Sequence, residues 1–427
     1  MKKITVLLLV LQISLGLFSQ KTLIWCGTLI DGIANEPKKN VTILVEKNKI
    51  TGIESGFSKP GPLDITIDLK TKTVTPGWID MHVHLEGETK KGNLAEKFTV
   101  NPADVAFESL KYVNVTLMAG FTTVRDLGGS GVNISLRNAI NKGLVTGPRI
   151  YTAGKSIATT GGHADPTNGY RKDLMGDPGP KEGVINGTAD AYHAVRERYK
   201  EGSDLIKITA TGGVLSQAKD GANAQFTEEE IKAIVSVAKD YGFKVAAHAH
   251  GAEGIKRAIR GGVNSIEHGT FMDDEGMQLM KQYGTWLVPT ITAGKATGDS
   301  AKIPGYYSDI VTPKALVTGP QIQATFAKAY KAGVKIAFGT DAGVYQHGKN
   351  WLEFGYMIEA GMPPMEAIKA ATISAAELLG EKNKLGSIET GKLADIIAVD
   401  GNPLKDSQVF GKVVFVMKDG IVYKYPN

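Results

Sequence analysis

Eight short apolar runs, at residues 77–85, 122–125, 149–153, 204–209, 244–248, 263–267, 285–289 and 334–340, recur along this 427-residue chain with helix-like windows between them. Buried parallel strands are apolar on both faces, because crossover helices cover the sheet on either side. The windows carry helix signals. Thr227-Glu228-Glu229-Glu230 opens one of them with a capping-box pattern that leads on to Lys239. An α/β fold is expected, and eight β–α units fit a closed (β/α)8 TIM barrel. The alternative is a doubly wound open sheet, but no glycine-rich phosphate loop follows any run.

The segments flanking this alternation have a different texture. Residues 22–25, 41–45 and 49–53 are β-rich and separated by the turn formers Asp31-Gly32 and Lys47-Asn48. Residues 394–400 and 413–417 match them, and Lys418-Asp419-Gly420 before Ile421-Val422-Tyr423 is a hairpin signal. Neither flank buries much alone, so the two are expected to pair into one small β-sandwich domain. The expected boundaries are a leader at 1–20, sandwich at 21–76, barrel at 77–384 and sandwich again at 385–427.

Met1-Lys2-Lys3 followed by an almost wholly apolar run over residues 4–18 has the form of a secretory signal peptide. The run is shorter than the roughly 20 residues a membrane span needs, although an N-terminal membrane anchor is the other reading. Export to the periplasm or outside the cell is expected, with no stable membrane insertion once the leader is removed. Cys26 is the only cysteine, so an intrachain disulfide and a zinc–thiolate cluster are both excluded. Bulky Trp25 before it suits a lipid anchor poorly. Net charge is +5, or 5 − 2 = +3 without Lys2 and Lys3, and aromatic content is 7%. No basic stripe interleaves with aromatics, so nucleic acid is not an expected partner.

The chain has only eight histidines, and they gather at the ends of runs. His82 and His84 close the first run, and residues two apart on a strand share a face. His248 and His250 close the fifth, His268 follows the sixth, and Asp341 follows the eighth. Any one of these would ordinarily be a structural residue. A barrel, however, brings its strand ends to one rim, where active sites of this fold lie. Imidazole and carboxylate together suit zinc or a similar divalent ion.

Lys207 sits inside the fourth run, where an ammonium pointing inward needs compensation. A buried salt bridge or a snorkelling side chain would provide it. A pair of metal ions gives another reason for a lysine here. Its neutral amine can react with carbon dioxide to form a carbamate that bridges both ions, and burial favours the neutral amine.

The run Pro76-Gly77-Trp78-Ile79-Asp80-Met81-His82-Val83-His84-Leu85 resembles a motif of the amidohydrolase superfamily. So do Ile206-Lys207-Ile208 with Thr211-Gly212-Gly213, Ala247-His248-Ala249-His250-Gly251 and Ile266-Glu267-His268-Gly269. Gly339-Thr340-Asp341-Ala342-Gly343 and Gly391-Lys392-Leu393-Ala394-Asp395 complete an ordered set that spans the chain from about residue 22. The resemblance is to the branch holding Xaa-Pro dipeptidases and imidazolonepropionase-related amidohydrolases. It implies two divalent ions, zinc being the expected metal. One would be held by His82, His84, Asp341 and the carbamate of Lys207, the other by that carbamate, His248 and His268. It further implies a bridging hydroxide that attacks an amide carbonyl, with Asp341 as the catalytic base and then acid. True imidazolonepropionases lack the bridging lysine, so Lys207 argues against that activity.

The family pattern leaves the position of His250 variable and makes it a candidate substrate contact. His163, in a glycine-rich loop after the third run, is expected to hold a substrate carboxylate or the tetrahedral oxyanion; a structural loop histidine is the other reading. His347 is expected to line the same pocket, and His193 to be plain surface. The expected substrate is a dipeptide or other small molecule. A hydrolase of another amide, a lactone or an ester is the alternative, and a non-catalytic binding protein a remote one. Apolar helices on an outer ring would permit a homo-oligomer.

Overall fold

The computed structural model describes residues 20–92 and 96–425, so the leader expected at residues 1–20 lies outside the described residues except for Gln20. The β-rich start folds as β1 (Thr22–Leu29), β2 (Lys38–Glu46), β3 (Lys49–Ser55) and β4 (Ile65–Pro76). β5 (Trp78–Val83) begins one residue after β4 ends. Gly77 makes that direct passage work, because a Cβ there would lie 2.2 Å from Thr122 Oγ1.

β5, β6 (Phe121–Asp126) and β7 (Arg149–Thr152) pair in parallel. The two-residue strands β8 (Ala158–Thr159) and β9 (Val184–Ile185) pair with each other. β10 (Ile206–Thr209), β11 (Val245–Gly251), β12 (Ser265–Phe271) and β13 (Trp286–Val288) form a second parallel set. The two sets are joined where Asp204 N–H donates to Thr152 O and Ile157 N–H to Lys207 O, both at 2.8 Å.

Seven of the eight expected runs are therefore strands, and the eighth departs from expectation. Residues 334–340 divide their hydrogen bonds between two neighbours. Leu287 N–H donates to Lys335 O at 2.9 Å, Ala337 N–H to Leu287 O at 3.0 Å, and Met81 N–H to Phe338 O at 3.0 Å. Too few consecutive bonds fall on either side to make a ladder. The segment nonetheless links β13 to β5.

Strand periodicity decides what faces what. Ile206, Ile208, Val245 and Ala247 pack into the main core with Ile231 and Ile234 of helix Glu228–Asp240 and Ile255 and Ile259 of helix Ala252–Gly261. Each such buried isoleucine or valine contributes about 1.5–3 kcal/mol. The alternate residues Lys207, Thr209, His248 and His250 turn the other way and line a cavity. The capping box expected at Thr227 is present, with Thr227 Oγ1 accepting from Glu230 N–H at 3.2 Å and Glu230 Oε2 from Thr227 N–H at 2.9 Å.

Both chain ends meet in one seven-stranded sheet. Its order is β16-β15-β14-β4-β1-β2-β3, with β14 (Ile396–Val399), β15 (Val413–Lys418) and β16 (Ile421–Lys424) supplied by the C-terminal flank. Only β1 and β4 are parallel neighbours within it. A separate core of Ile24, Cys26, Ile43, Leu69, Ile396 and Phe415, among others, belongs to this sheet. The β15–β16 hairpin turns through Asp419 (φ 51°) and Gly420 (φ 75°), the left-handed pair that a two-residue turn requires. No helix among the described residues is long and apolar enough to cross a membrane.

Candidate active site

His82, His84, Lys207, His248, His268 and Asp341 all reach a single cavity of about 490 Å³ at the carboxyl ends of the parallel strands. His163 and His250 line it too, beside an apolar wall that includes Val214, Leu215, Ala293 and Ile322. Ligand-capable atoms of His82, His268 and Asp341 lie within 4.8 Å of one another, as do those of His248, His250 and His268. The two triads share His268.

The outer nitrogens show which lone pairs face inward. His84 Nδ1 donates to Gly128 O at 2.8 Å, and His82 Nδ1 donates to Glu267 Oε2 at 3.0 Å. In its neutral form each ring is thereby left with an unprotonated Nε2. Those two atoms lie 3.2 Å (His84) and 3.5 Å (His82) from Asp341 Oδ1. That oxygen is buried and has no hydrogen-bond partner among the described residues. Two nitrogen lone pairs facing a carboxylate oxygen repel unless a cation sits among them, and this donor set fits a divalent metal. Without one, burial pulls His84 down, but the Asp341 carboxylate more than offsets it and leaves His84 above its ordinary range. Burial, with Lys207 nearby, holds His82 well below that range.

Three site residues share a rare backbone conformation. His268 (φ 71°), Thr290 (φ 52°) and Asp341 (φ 59°) are all left-handed, at a typical cost of about 1–3 kcal/mol each. His268 Nδ1 lies 2.7 Å from Thr290 Oγ1, so two of the strained residues are hydrogen-bonded to each other. Burial, and then its histidine neighbours, keep His268 well below the usual histidine range.

Lys207 is 4% exposed. No carboxylate among the described residues lies within 4.0 Å of Nζ, whose nearest polar neighbour is His82 Nε2 at 3.4 Å. The salt-bridge reading of this lysine therefore finds no partner. Burial lowers its pKa to about 8, against the opposing pull of Glu267 and Asp341.

His163 stacks on His248 with ring centroids 4.3 Å apart, and its Nδ1 is buried without a partner among the described residues. Burial and the charge of neighbouring groups push it down to about 3, so the ring is neutral. His248 Nε2 donates to Gly212 O at 3.1 Å, leaving Nδ1 as its free lone pair. His250 stacks on His268 at 4.9 Å and places Nδ1 2.7 Å from Thr270 Oγ1. The structure thus puts His250 in the second triad and on the cavity wall. His347 does not reach the cavity. Its Nε2 donates to Gly87 O at 3.2 Å and its ring lies 4.8 Å from Tyr112. His193 is exposed on helix Thr188–Glu201.

Sequence reasoning passed over the residues that hold this set in place. Glu267 takes His82 on one oxygen and Arg125 Nη2, at 2.8 Å, on the other. Asp80 bonds the backbone N–H groups of both His82 and Thr340 at 3.1 Å. The available signal was charge within apolar runs, since a buried charge requires a partner.

A parallel α/β fold with histidines, a lysine and an aspartate converging at its strand ends defines a hydrolase. The chain belongs to the amidohydrolase family, whose sequence model matches residues 73–423. A crystal structure of a Xaa-Pro dipeptidase with methionine bound in its active site is 55% identical, with a TM-score of 0.93, and the match covers 95% of this chain and 100% of that one. A prolidase complexed with N-methylphosphonate-L-proline is 32% identical, with a TM-score of 0.87, over 95% of this chain and 100% of that one. Ochratoxinase of Aspergillus niger is 32% identical over 95% of this chain and 87% of its own length. The dipeptidase and prolidase likenesses agree with the branch that the motifs resemble. As a member of this family the chain is a hydrolase of amide or peptide bonds.

Proposed function

We propose that this chain is an exported binuclear dipeptidase of the Xaa-Pro or a related type. One observation carries the reading: Lys207 is buried on the cavity that both ligand triads line, 3.4 Å from His82 Nε2 and with no carboxylate among the described residues within 4.0 Å. A carbamate on Nζ would make it the anion that both ions need. His82, His84, Asp341 and that carbamate would hold one ion, and the carbamate, His248 and His268 the other. His250, in the same triad as the last two, is kept as a substrate contact. When bound, two divalent ions such as zinc polarise a carbonyl and lower the pKa of water.

The protein's own groups then have defined tasks. The Asp341 carboxylate takes a proton from the attacking water and returns it to the leaving amine. The neutral His163 imidazole, whose ring lines the cavity, donates to the substrate's carbonyl oxygen or carboxylate. The apolar wall excludes water around both. The framework fits a (β/α)8 barrel over residues 77–384, since β5, β6, β7, β10, β11, β12 and β13 are each hydrogen-bonded on both sides. The seven-stranded sheet, folded around its own core, would be the small sandwich at 21–76 and 385–427.

The relatives support this choice of substrate, two being a Xaa-Pro dipeptidase and a prolidase. The ochratoxinase relative favours a second reading, hydrolysis of a different amide by the same groups. The test is amino-acid release from Xaa-Pro, Xaa-Arg and N-acyl amino acid libraries by protein prepared with zinc and bicarbonate. Turnover of dipeptides that is lost with chelator and in Lys207→Ala is expected. Silence across the library from protein holding two metals would overturn the dipeptidase assignment, and protein that binds no metal would overturn the centre itself.

A further inference from the structure

Asn350 and Glu353 flank the start of helix Leu352–Glu359, outside the cavity, and both are fully buried. Neither touches a candidate ligand. Each instead completes a hydrogen-bond cluster that ends on one.

Asn350 Nδ2 donates to Asp80 Oδ2 at 2.8 Å and lies 3.3 Å from Thr340 Oγ1. Asp80 Oδ2 also accepts from Thr340 Oγ1 at 2.6 Å, while its Oδ1 accepts from the N–H groups of His82 and Thr340. Asp341 N–H donates to His82 O at 2.7 Å. The Asp80 carboxylate therefore staples the strand bearing His82 to the segment bearing Asp341, and Asn350 shares its outer oxygen with Thr340 as the second donor.

Glu353 does the corresponding work at the start of helix Ile291–Ala301. Its Oε1 accepts from Ile291 N–H at 2.8 Å, and its Oε2 from Thr292 N–H at 2.7 Å and Thr292 Oγ1 at 2.6 Å. These amides open helix Ile291–Ala301, whose first N–H groups have no partner within the helix. A carboxylate at that end satisfies them and suits the helix dipole. The residue preceding them is Thr290, held in its left-handed conformation with Oγ1 on His268 Nδ1. The Glu353 carboxylate thus fixes the turn that orients His268.

We propose that Asn350 and Glu353 act as one positioning clamp, with Asn350 setting the His82–Asp341 pair and Glu353 setting His268, so that a single helix start registers both halves of the metal centre. The clamp rests on the binuclear reading above. Partners that orient metal ligands without touching the metal typically matter about 10–100-fold in affinity. Each variant should therefore weaken one ion and spare the other. In Glu353→Gln the amide NH2 would meet a backbone N–H it cannot satisfy. In Asn350→Ala the outer oxygen of Asp80 loses one of its two donors and keeps only Thr340 Oγ1.

The test is stepwise cobalt(II) loading of the full chain against a chromophoric chelator, read by the visible absorption of the bound ion, with unfolding temperature measured in parallel. We expect Glu353→Gln to weaken the ion held by His248 and His268 about tenfold or more, and Asn350→Ala to weaken the other by a similar factor, each with a shifted absorption band. Thr292→Val, which removes only the hydroxyl donor to Glu353, should move the same ion in the same direction by less, and it serves if Glu353→Gln does not fold. Unchanged affinities overturn the clamp. So does equal weakening of both ions in step with the unfolding temperature, which is what a merely structural role would give. Wild-type protein that takes up no cobalt would count against the binuclear reading instead.

Discussion

His82 Nδ1 and Glu267 Oε2 lie 3.0 Å apart with both side chains buried, and the same carboxylate takes Arg125 Nη2 and Ser265 Oγ on its other oxygen. One carboxylate therefore fixes a candidate ligand and neutralises a buried guanidinium. In Glu267→Gln, Arg125 remains buried without its anion, which costs about 3–5 kcal/mol. His82 also loses the partner that turns its Nε2 inward, which should weaken metal binding about 10–100-fold. Urea unfolding and metal titration separate the two effects. The double variant Arg125→Met with Glu267→Gln should regain stability but not metal affinity. A Glu267→Gln protein as stable as wild type would show that the pair does not carry this load.

Gly213 sets where His163 can stand. A Cβ at Gly213 would lie 2.2 Å from both Nδ1 and Cε1 of the His163 ring, so Gly213→Ala must push the imidazole off its stack on His248. If His163 donates to the developing oxyanion, kcat should fall about 10²–10³-fold, with little change in unfolding temperature. His163→Ala should fall by a similar factor, and combining the two should add almost nothing, because both remove one interaction. Full activity in Gly213→Ala would take His163 away from the reacting carbonyl.

How far the sequence disclosed this site depends on the range of the interaction involved. The parallel strands were legible because burial on both faces leaves a continuous apolar run, as in Ile206-Lys207-Ile208, and Lys207 was conspicuous as the charge that interrupts one. The Arg125–Glu267 pair was not, since its partners are 142 residues apart and an isolated charge announces only that some partner exists. His248 and His250 could not be separated by period, and both do face the cavity. His347 is close to Asp341 in sequence but not in its surroundings. The chain turns at Gly343 (φ 113°), and the ring ends against Tyr112 instead. The eighth run, although apolar, shares its bonds between two neighbours, a division that no local pattern records.

Arg149, at the start of β7, reaches into the C-terminal flank. Nη1 lies 2.7 Å from Asp395 Oδ2 and Nη2 2.5 Å from Asp419 Oδ1, while Asp395 Oδ1 accepts Asp419 N–H at 2.9 Å. The guanidinium thus ties a parallel strand to the turn of the β15–β16 hairpin. Arg149→Met keeps most of the packing but leaves Asp395, which is buried, without its cation. Hydrogen bonds to charged groups contribute about 1.5–3 kcal/mol, so unfolding free energy should fall by about 2–3 kcal/mol. Since none of these residues lines the cavity, kcat/KM well below the transition should stay within about twofold of wild type. A large loss of activity at unchanged stability would show that this junction shapes the site.

Burial lowers Lys207 from the ordinary lysine value to about 8, and this sets when it can react. At pH 7 about one amine in ten is then neutral, against about one in three thousand for an unperturbed lysine. Carbamate formation joins the amine nitrogen to the carbon of CO2 and releases a proton, so its rate follows the neutral fraction. For metal-free protein at fixed dissolved CO2, the initial rate of activation on adding zinc should rise almost tenfold per pH unit below 8 and level off above it. The same shift has a consequence for stability. The folded chain gives up this proton near pH 8 and the unfolded chain only near 10.5. Between those values the unfolded state binds more protons, so this lysine makes the metal-free protein more stable as pH rises through the window. Lys207→Met should abolish both the activation and that slope. An activation rate that keeps rising to pH 10 would mean the amine is solvated rather than buried, and a rate independent of pH would mean that no amine is consumed at all.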